Sequence, residues 1–193
     1  MYDLLFHHIG SKILLDGAGK EFLKTMFIPK KLRKKQYLLQ EGEQGKYMAF
    51  VNKGCLRSYS IDEEGREHIV QFAIEEWWIG DMYSFLTGEP SDYNIDALED
   101  AELLMIDRKA QNSILEHLPA YEKYLRILLE NNYVATRRRL NNMMAKTAEE
   151  KYLDFIKQYP HITQRVPQHM VASYLGITPE TLSRARKQRL TGK

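Results

Sequence analysis

One cysteine, Cys55, stands among 193 residues. A disulfide framework, a zinc site closed by several thiolates and a cysteine-held iron–sulfur cluster within one chain are thereby excluded. There is no run of about 18 apolar residues, so no transmembrane helix is expected. The stretch from Met1 to Lys12 holds two histidines and no apolar signal core, so a cytoplasmic chain is expected rather than an exported one. The remaining histidines are sparse. His68, His117 and His161 are scattered along the chain, and His68 has no second histidine two residues away to hold a metal in a cupin-like barrel. Neither a Ser/His/Asp set nor a carboxylate pair is visible by spacing. No enzyme, metal or cofactor is expected.

What is present is a soluble globular composition, 44% hydrophobic and 28% charged. The net charge of +2 hides an asymmetry. Residues 1–118 hold 14 Lys/Arg against 20 Asp/Glu, residues 119–160 hold 8 against 5, and residues 161–193 hold 6 against 1. An acidic body with a basic end suits a chain whose second part faces a polyanion. Charge alone leaves a solvated tail open.

The periodicity divides the chain into segments. Residues 1–27 read as a short helical lead-in. From Lys34 to Asp107, alternating or apolar runs such as YMAFVNKG, CLRSYSI, HIVQFAI and LLMID are separated by turn residues, among them Glu41-Gly42-Glu43 and Asn52-Lys53-Gly54. Strands about ten residues apart indicate an antiparallel sandwich or barrel. After Pro119, AYEKYLRILLENNYVATRRRLNNMMAK contains neither Gly nor Pro and reads as one helix of about 40 Å. Tyr121, Leu125, Leu128, Asn132, Ala135 and Asn142 trace an imperfect 3.5-residue seam, which points to pairing with a second copy. Packing on its own domain is the other reading. Thr147-Ala148-Glu149-Glu150 has the form of a capping box and starts a further helix, which Pro160 ends.

The stretch QHMVASYLGITPETLSRARK reads as two helices around a tight turn. The first begins at Pro167 and buries Met170, Val171, Tyr174 and Leu175. Gly176 sits where the chain reverses, and the small Ala172 lets the second helix approach. Thr178 caps that helix and Pro179 takes its first position, with Leu182, Ala185 and Arg189 opposite the outward face. This is the helix-turn-helix spacing. The outward face carries Glu180, Ser183, Arg184 and Lys187. Arginine can bond guanine O6 and N7, and glutamate can accept from cytosine N4. Thr178, Ser183 and Lys187 suit phosphates, as do Gln168 and His169 at the start of the first helix, and Pro179 and Thr181 complete the candidate DNA-binding set.

With these residues in view, the chain resembles the CRP/FNR transcription regulators over nearly its whole length. The stretch LLQEGEQGKYMAFVNKGCLRSYSIDEEGREHIVQFAIEEWWIGDMYSF is similar to the family's β-roll, with turn glycines Gly42 and Gly54 and an Ile79-Gly80-Asp81 entry to the ligand segment. PETLSR is similar to the family's RETVGR run, so that Glu180 and Arg184 match its base-reading pair while Pro179 replaces an arginine. The resemblance implies an α+β fold. An effector β-roll would span 1–118, a dimerisation helix 119–145 and a helix-turn-helix domain 146–193, with recognition helix 178–188. It implies a homodimer on double-stranded DNA, with RNA polymerase as a further partner and no membrane partner. The effector pocket would use Gly80, Asp81, Met82, Tyr83, Ser91, Asp92 and Tyr93. Here the chain departs from the family. Cyclic-nucleotide binders carry an Arg-Ser or Arg-Thr pair where this chain has Pro90-Ser91-Asp92, with no arginine and an added carboxylate. Tight cyclic AMP binding is not expected, and the effector, if there is one, is unknown. Trp77, Trp78, Tyr83 and Tyr93 point to a filled core or an apolar effector. In many relatives a β-hairpin follows the recognition helix; with the sequence stopping at Lys193, contacts from it are not expected. A sensor module acting through protein partners is the other functional reading.

Overall fold

The computed structural model describes residues 1–191, with side chains described through Lys187. The expectation for Arg189 lies outside those side chains. Two compact units divide the chain, one of residues 1–60 and 71–130 and the other of residues 61–70 and 131–193.

In the first unit, helices α1 (Asp3–Gly10) and α2 (Gly17–Met26) precede the strands. The strands are β1 (Ile28–Leu32), β2 (Tyr37–Leu39), β3 (Tyr47–Lys53), β4 (Leu56–Ile61), β5 (Glu67–Ala73), β6 (Trp78–Ile79), β7 (Asn94–Ala97) and β8 (Ala101–Asp107). Helix α3 (Met82–Thr87) lies between β6 and β7, and α4 (Arg108–His117) follows β8. The strands form two four-stranded sheets, ordered β1-β8-β3-β6 and β2-β7-β4-β5. The alternating runs indicate an antiparallel sandwich or barrel and the resemblance a β-roll; the chain forms two antiparallel sheets of that kind.

Period-two alternation explains why there are two cores. Ala49 and Val51 on β3, with Leu103 and Met105 on β8, join Leu39, Leu56 and Ile95 of the second sheet in one apolar cluster. Their neighbours Met48, Phe50, Leu104 and Ile106 join Leu5, Ile9, Leu23, Ile114, Tyr121 and Tyr124 from helices in the other. Strands β3 and β8 are thus apolar on both faces. Burying each such side chain contributes about 1.5–3 kcal/mol. Exposed ion pairs such as Arg126–Glu130 contribute about 1 kcal/mol at most, so burial dominates. Gly54 closes the β3–β4 turn at φ +102, where a Cβ would lie 2.7 Å from the Asp100 carbonyl oxygen. Only glycine fits there.

Two polar contacts interrupt the apolar pattern. Arg57 and Asp96 face each other across β4 and β7 and form a buried two-pronged pair at 2.8 and 3.0 Å. The Arg57 guanidinium also sits 4.1 Å from the Tyr59 ring centre. In the other core, Trp78 Nε1–H donates to the Tyr124 hydroxyl at 2.9 Å. That leaves the Tyr124 O–H to donate to His8 Nδ1, also at 2.9 Å. His8 is therefore held as a neutral acceptor. Trp78 packs against Phe50 and Phe27, in line with the filled-core reading of these aromatic residues.

Helix α5 runs over Ala120–Ala145, starting where the expected segment starts and ending one residue before it. Residues 120–130 belong to the first unit and 131–145 to the second. The second unit adds α6 (Ala148–Gln158), α7 (Pro160–Arg165), α8 (Gln168–Leu175) and α9 (Pro179–Thr191). The capping box of α6 is complete: Thr147 accepts from the Glu150 backbone and Glu150 from that of Thr147. Pro160 does end α6, but it also opens α7, which the sequence did not indicate. Proline suits a first helical turn because that N–H has no helical partner anyway. Among the described residues no helix is long and apolar enough to cross a membrane.

Burial, then the charges of Lys12 and His7, push the His8 pKa down to about 4 from 6.5. The unfolded chain therefore binds the extra proton between these values, and stability rises with pH across that window. Urea titrations followed by tryptophan fluorescence should show stability falling from pH 6.5 towards pH 4. The His8→Gln variant should lose most of that slope.

Candidate nucleic-acid interface

The tight turn between α8 and α9 is set by its caps. Gly176 adopts φ +65, and the Ile177 N–H bonds back to the Ala172 carbonyl at 3.0 Å. A Cβ at Gly176 would combine this left-handed backbone with a 3.2 Å approach to Met143 Cε. The Thr178 hydroxyl accepts from the Thr181 N–H at 3.2 Å, so Thr178 caps α9, and Pro179 is its first residue. Pro167 is the cap of α8 rather than its first helical residue, with ψ 144 in the extended region. That is a one-residue shift of the expected start.

The inward face of the pair is apolar. Val171, Ala172 and Leu175 of α8 and Leu182 and Ala185 of α9 are buried, while Met170 and Tyr174 are half-buried. Thr178, Pro179, Glu180, Ser183, Arg184 and Lys187 are exposed, and Thr181 is half-buried. Arg186, outside the expected set, is also exposed. His169 is exposed, whereas Gln168 is half-buried with its Oε1 shielded from solvent and unpartnered. The Glu180 carboxyl lies below its usual pKa, held by a backbone N–H and the Thr178 hydroxyl. It is thus a charged acceptor at neutral pH. Arg184 reaches the Thr181 hydroxyl at 3.3 Å. One helix face therefore offers the carboxylate of Glu180, the hydroxyl of Ser183 and the two cations Arg184 and Lys187 to a surface placed against it.

The candidate effector segment is engaged with itself. Asp81 is buried, and its carboxylate caps α3 by accepting from the Tyr83 and Ser84 N–H groups. Ser84 Oγ accepts from the Gly45 N–H at 2.7 Å and donates to the Glu89 carbonyl. Ser91 is buried, with its N–H on the Glu43 carbonyl at 2.8 Å. The Gly42 N–H bonds the Ser91 carbonyl at the same distance. These amides, which could otherwise cradle a phosphate, already have partners. Met82 and Tyr83 are exposed, with Tyr83 donating to Glu89, and Asp92 is also exposed. Tyr93 is half-buried, and its N–H donates to the Ser91 hydroxyl at 3.0 Å. A Cβ on Gly80 would fall 2.6 Å from Met48 Sδ, so Gly80 serves packing.

On α5, Tyr121 is fully buried among the chain's own helices, and Leu125 and Leu128 pack half-buried against the same cluster. These three of the expected seam are covered by their own unit. Asn132 and Ala135 are exposed. The large apolar side chains exposed on the rest of the helix are Leu129, Tyr133, Val134, Leu140, Met143 and Met144.

The sequence missed one set of contacts within the second unit. Arg139 donates to the carbonyls of Ile69, at 3.0 Å, Val70 and Tyr174, at 3.1 Å. Its guanidinium lies 4.1 Å from the Tyr174 ring centre. Ser173 Oγ accepts from the Ile69 N–H at 2.9 Å and donates to the Glu67 carbonyl at 2.8 Å. β5 is the last strand of its sheet, and these side chains satisfy backbone groups that an edge leaves unpaired. In the sequence, Arg137-Arg138-Arg139 is merely a basic run, and no local signal distinguishes its third member.

Comparison with known proteins agrees with this architecture. Residues 29–117 match the family model of the cyclic nucleotide-binding domain. The chain is 24% identical over 168 residues to the fumarate and nitrate reduction regulatory protein of Vibrio cholerae, covering 80% of this chain. It spans 66% of the length of that relative. Among solved structures it is similar to FixK2 from Bradyrhizobium japonicum, with a TM-score of 0.75 at 20% identity over 86% of this chain and 85% of that one. The catabolite activator protein of Thermus thermophilus gives 0.60 at 20% identity, over 98% and 88% of the two chains. The expected α+β fold, a β-roll followed by a long helix and a helix-turn-helix, is the fold these structures share.

Replacing Gly176 by Ala forces a side chain into the left-handed region and should destabilise the second unit by about 1 kcal/mol or more. Thermal unfolding followed by circular dichroism measures this. The same change at the unstrained Gly10, which has open space around it, should be close to neutral.

Proposed function

We propose that this CRP/FNR-family chain is a homodimeric, sequence-specific DNA-binding transcription regulator that reads a near-palindromic site with residues 178–188. The observation that carries the reading is the α9 face. Leu182 and Ala185 are buried beneath it, and Glu180, Ser183, Arg184 and Lys187 are exposed together. In this reading residues 1–118 form the effector domain, 119–145 the dimerisation helix and 146–193 the DNA-binding domain. Glu180 and Arg184 read base edges, while Thr178, Thr181, Ser183, Lys187, Gln168 and His169 contact or approach phosphates. Pro179 has no side-chain donor where relatives carry an arginine, so the preferred site differs at that contact. The self-bonded Asp81 and Ser91 segment supports regulation without cyclic AMP.

The second copy joins through the exposed half of α5. Leu129, Tyr133, Thr136, Leu140 and Met143 are all exposed and follow one another at intervals of four, three, four and three residues. That is the heptad spacing of a two-stranded seam, with Thr136 its one polar member. Asn132 and Ala135 flank it. Two recognition helices in such a dimer would lie about 34 Å apart, one turn of duplex.

A sensor that docks on a protein partner would not need the basic face of α9, and charge reversal at Arg184 and Lys187 separates the two readings. In fluorescence-anisotropy titrations with duplexes selected from a random pool, binding should weaken steeply with salt. Arg184→Ala should cost about 1–3 kcal/mol and relax specificity at one base pair, and Lys187→Ala should lower the salt slope by about one. Adding cyclic AMP should leave these affinities unchanged. Absence of duplex binding at low salt would overturn the reading.

Leu140→Glu places a charge in the seam at an exposed position that does not serve the chain's own core. Sedimentation velocity should show the wild-type chain as a dimer and this variant as a folded monomer.

A further inference from the structure

A cleft of about 50 Å³ opens within the second unit, between α5, α6 and the end of α8. Arg138, Arg139, Lys151, Phe155, Tyr159 and Tyr174 line it. We propose that this cleft is a binding site for a small tetrahedral oxyanion, a phosphate group, held by the Nε–H of Arg139 together with Arg138 and Lys151.

The first observation is an unfinished set of hydrogen bonds. Arginine has five N–H donors. In Arg139 the two terminal nitrogens serve the carbonyls of Ile69, Val70 and Tyr174. The Nε–H is shielded from solvent and has no partner. A buried donor left unpaired is costly, and Arg139 is one of the residues that line the cleft.

The second observation is charge. Arg139 forms no ion pair among the described residues, and its partners are neutral carbonyls. Burial pulls its pKa below the ordinary value, against a partial offset from the Tyr174 and Tyr159 hydroxyls. Arg138, exposed on α5, and Lys151, half-buried on α6, form no ion pair among the described residues either. The single carboxylate at the cleft, Asp154, is taken by Lys146, with Asn142 at 3.5 Å. The site therefore keeps an excess of positive charge around a small volume.

The donors also indicate the shape of the anion. A planar carboxylate is best matched by the two parallel N–H groups of one guanidinium fork. Both Nη2–H groups of Arg139 are spent on the Ile69 and Tyr174 carbonyls, so neither two-pronged edge of its guanidinium is free, and the Nε–H and one Nη1–H are left as separate donors. Arg138 leaves α5 about 100° away around the helix axis, and Lys151 approaches from α6. Donors from separate directions match a tetrahedral oxyanion, and the ring of Tyr174 and the side chain of Phe155 wall the rest. The same guanidinium bonds β5 residues and the last turn of α8. An anion on its Nε–H would therefore hold residues 69–70 and the helix-turn-helix in their present arrangement. Nothing here requires the DNA-binding reading, because none of the α9 face is used.

Isothermal titration calorimetry of the full chain with inorganic phosphate, at constant ionic strength with chloride as the balancing anion, tests the site. Saturable binding at one site per chain is expected. Arg138→Ala and Lys151→Ala each remove a cation without touching the core, and each should weaken binding about tenfold. Arg139→Lys should abolish it; because that change also loosens Ile69 and Val70, the two other variants carry the test. Three results would overturn the proposal: no saturable heat at tens of millimolar phosphate, an affinity unchanged in the Arg138→Ala/Lys151→Ala double variant, or acetate binding as well as phosphate.

Discussion

Helix α5 runs for 26 residues, about 39 Å, and the chain itself buries only its first turns. Tyr121 and Tyr124 are sunk in the core shared by α1, α2, α4 and the first sheet. From Leu129 onward, large apolar side chains face solvent at heptad intervals. One helix thus serves two environments. Its first part is an ordinary core element, fixed by Trp78 and His8 through the Tyr124 hydroxyl. Its second part carries the exposed apolar side chains proposed to meet a second copy, and Arg139 as well. Losing Tyr124 from its core would release the start of the helix that presents both.

The helix-turn-helix depends on fewer groups. One left-handed glycine reverses the chain, one threonine caps the outgoing helix, and five small or aliphatic side chains fill the angle between α8 and α9. Because Leu182 and Ala185 are committed to that packing, the polar residues of α9 are left outward as a set. The acceptor Glu180 and the donors Ser183, Arg184 and Lys187 stand on a rigid support, which is what base-edge recognition requires. The candidate effector segment is arranged in the opposite way. Its capping carboxylate and the amides of Gly42, Gly45 and Ser91 are engaged within the segment, and Gly80 has no room for a side chain.

The local devices of the second unit were legible in the sequence because each works over three or four residues. Thr147 and Glu150, Gly176, and Thr178 with Pro179 announce their own geometry. The antiparallel strands of the first part were legible as alternation, since strand periodicity is also local. The dual role of Pro160 was harder to read, because the same residue chemistry stops one helix and starts the next.

Alternation and caps in the amino-acid order alone therefore determined an antiparallel sandwich or barrel, a helix near 120–145 and a helix-turn-helix whose second helix has a polar outward face. Which side of α5 is buried was decided only when the chain folded. The expected seam began at Tyr121, Leu125 and Leu128, and tertiary packing took those three into the chain's own core. A helical stripe states that a face is apolar, but not what covers it. The contacts of Arg139 and Ser173 with residues 67–70 span about 70 and 106 positions of sequence. The Arg57–Asp96 pair spans 39. No local pattern encodes such pairs, because they depend on which backbone groups and charges the completed fold leaves without partners.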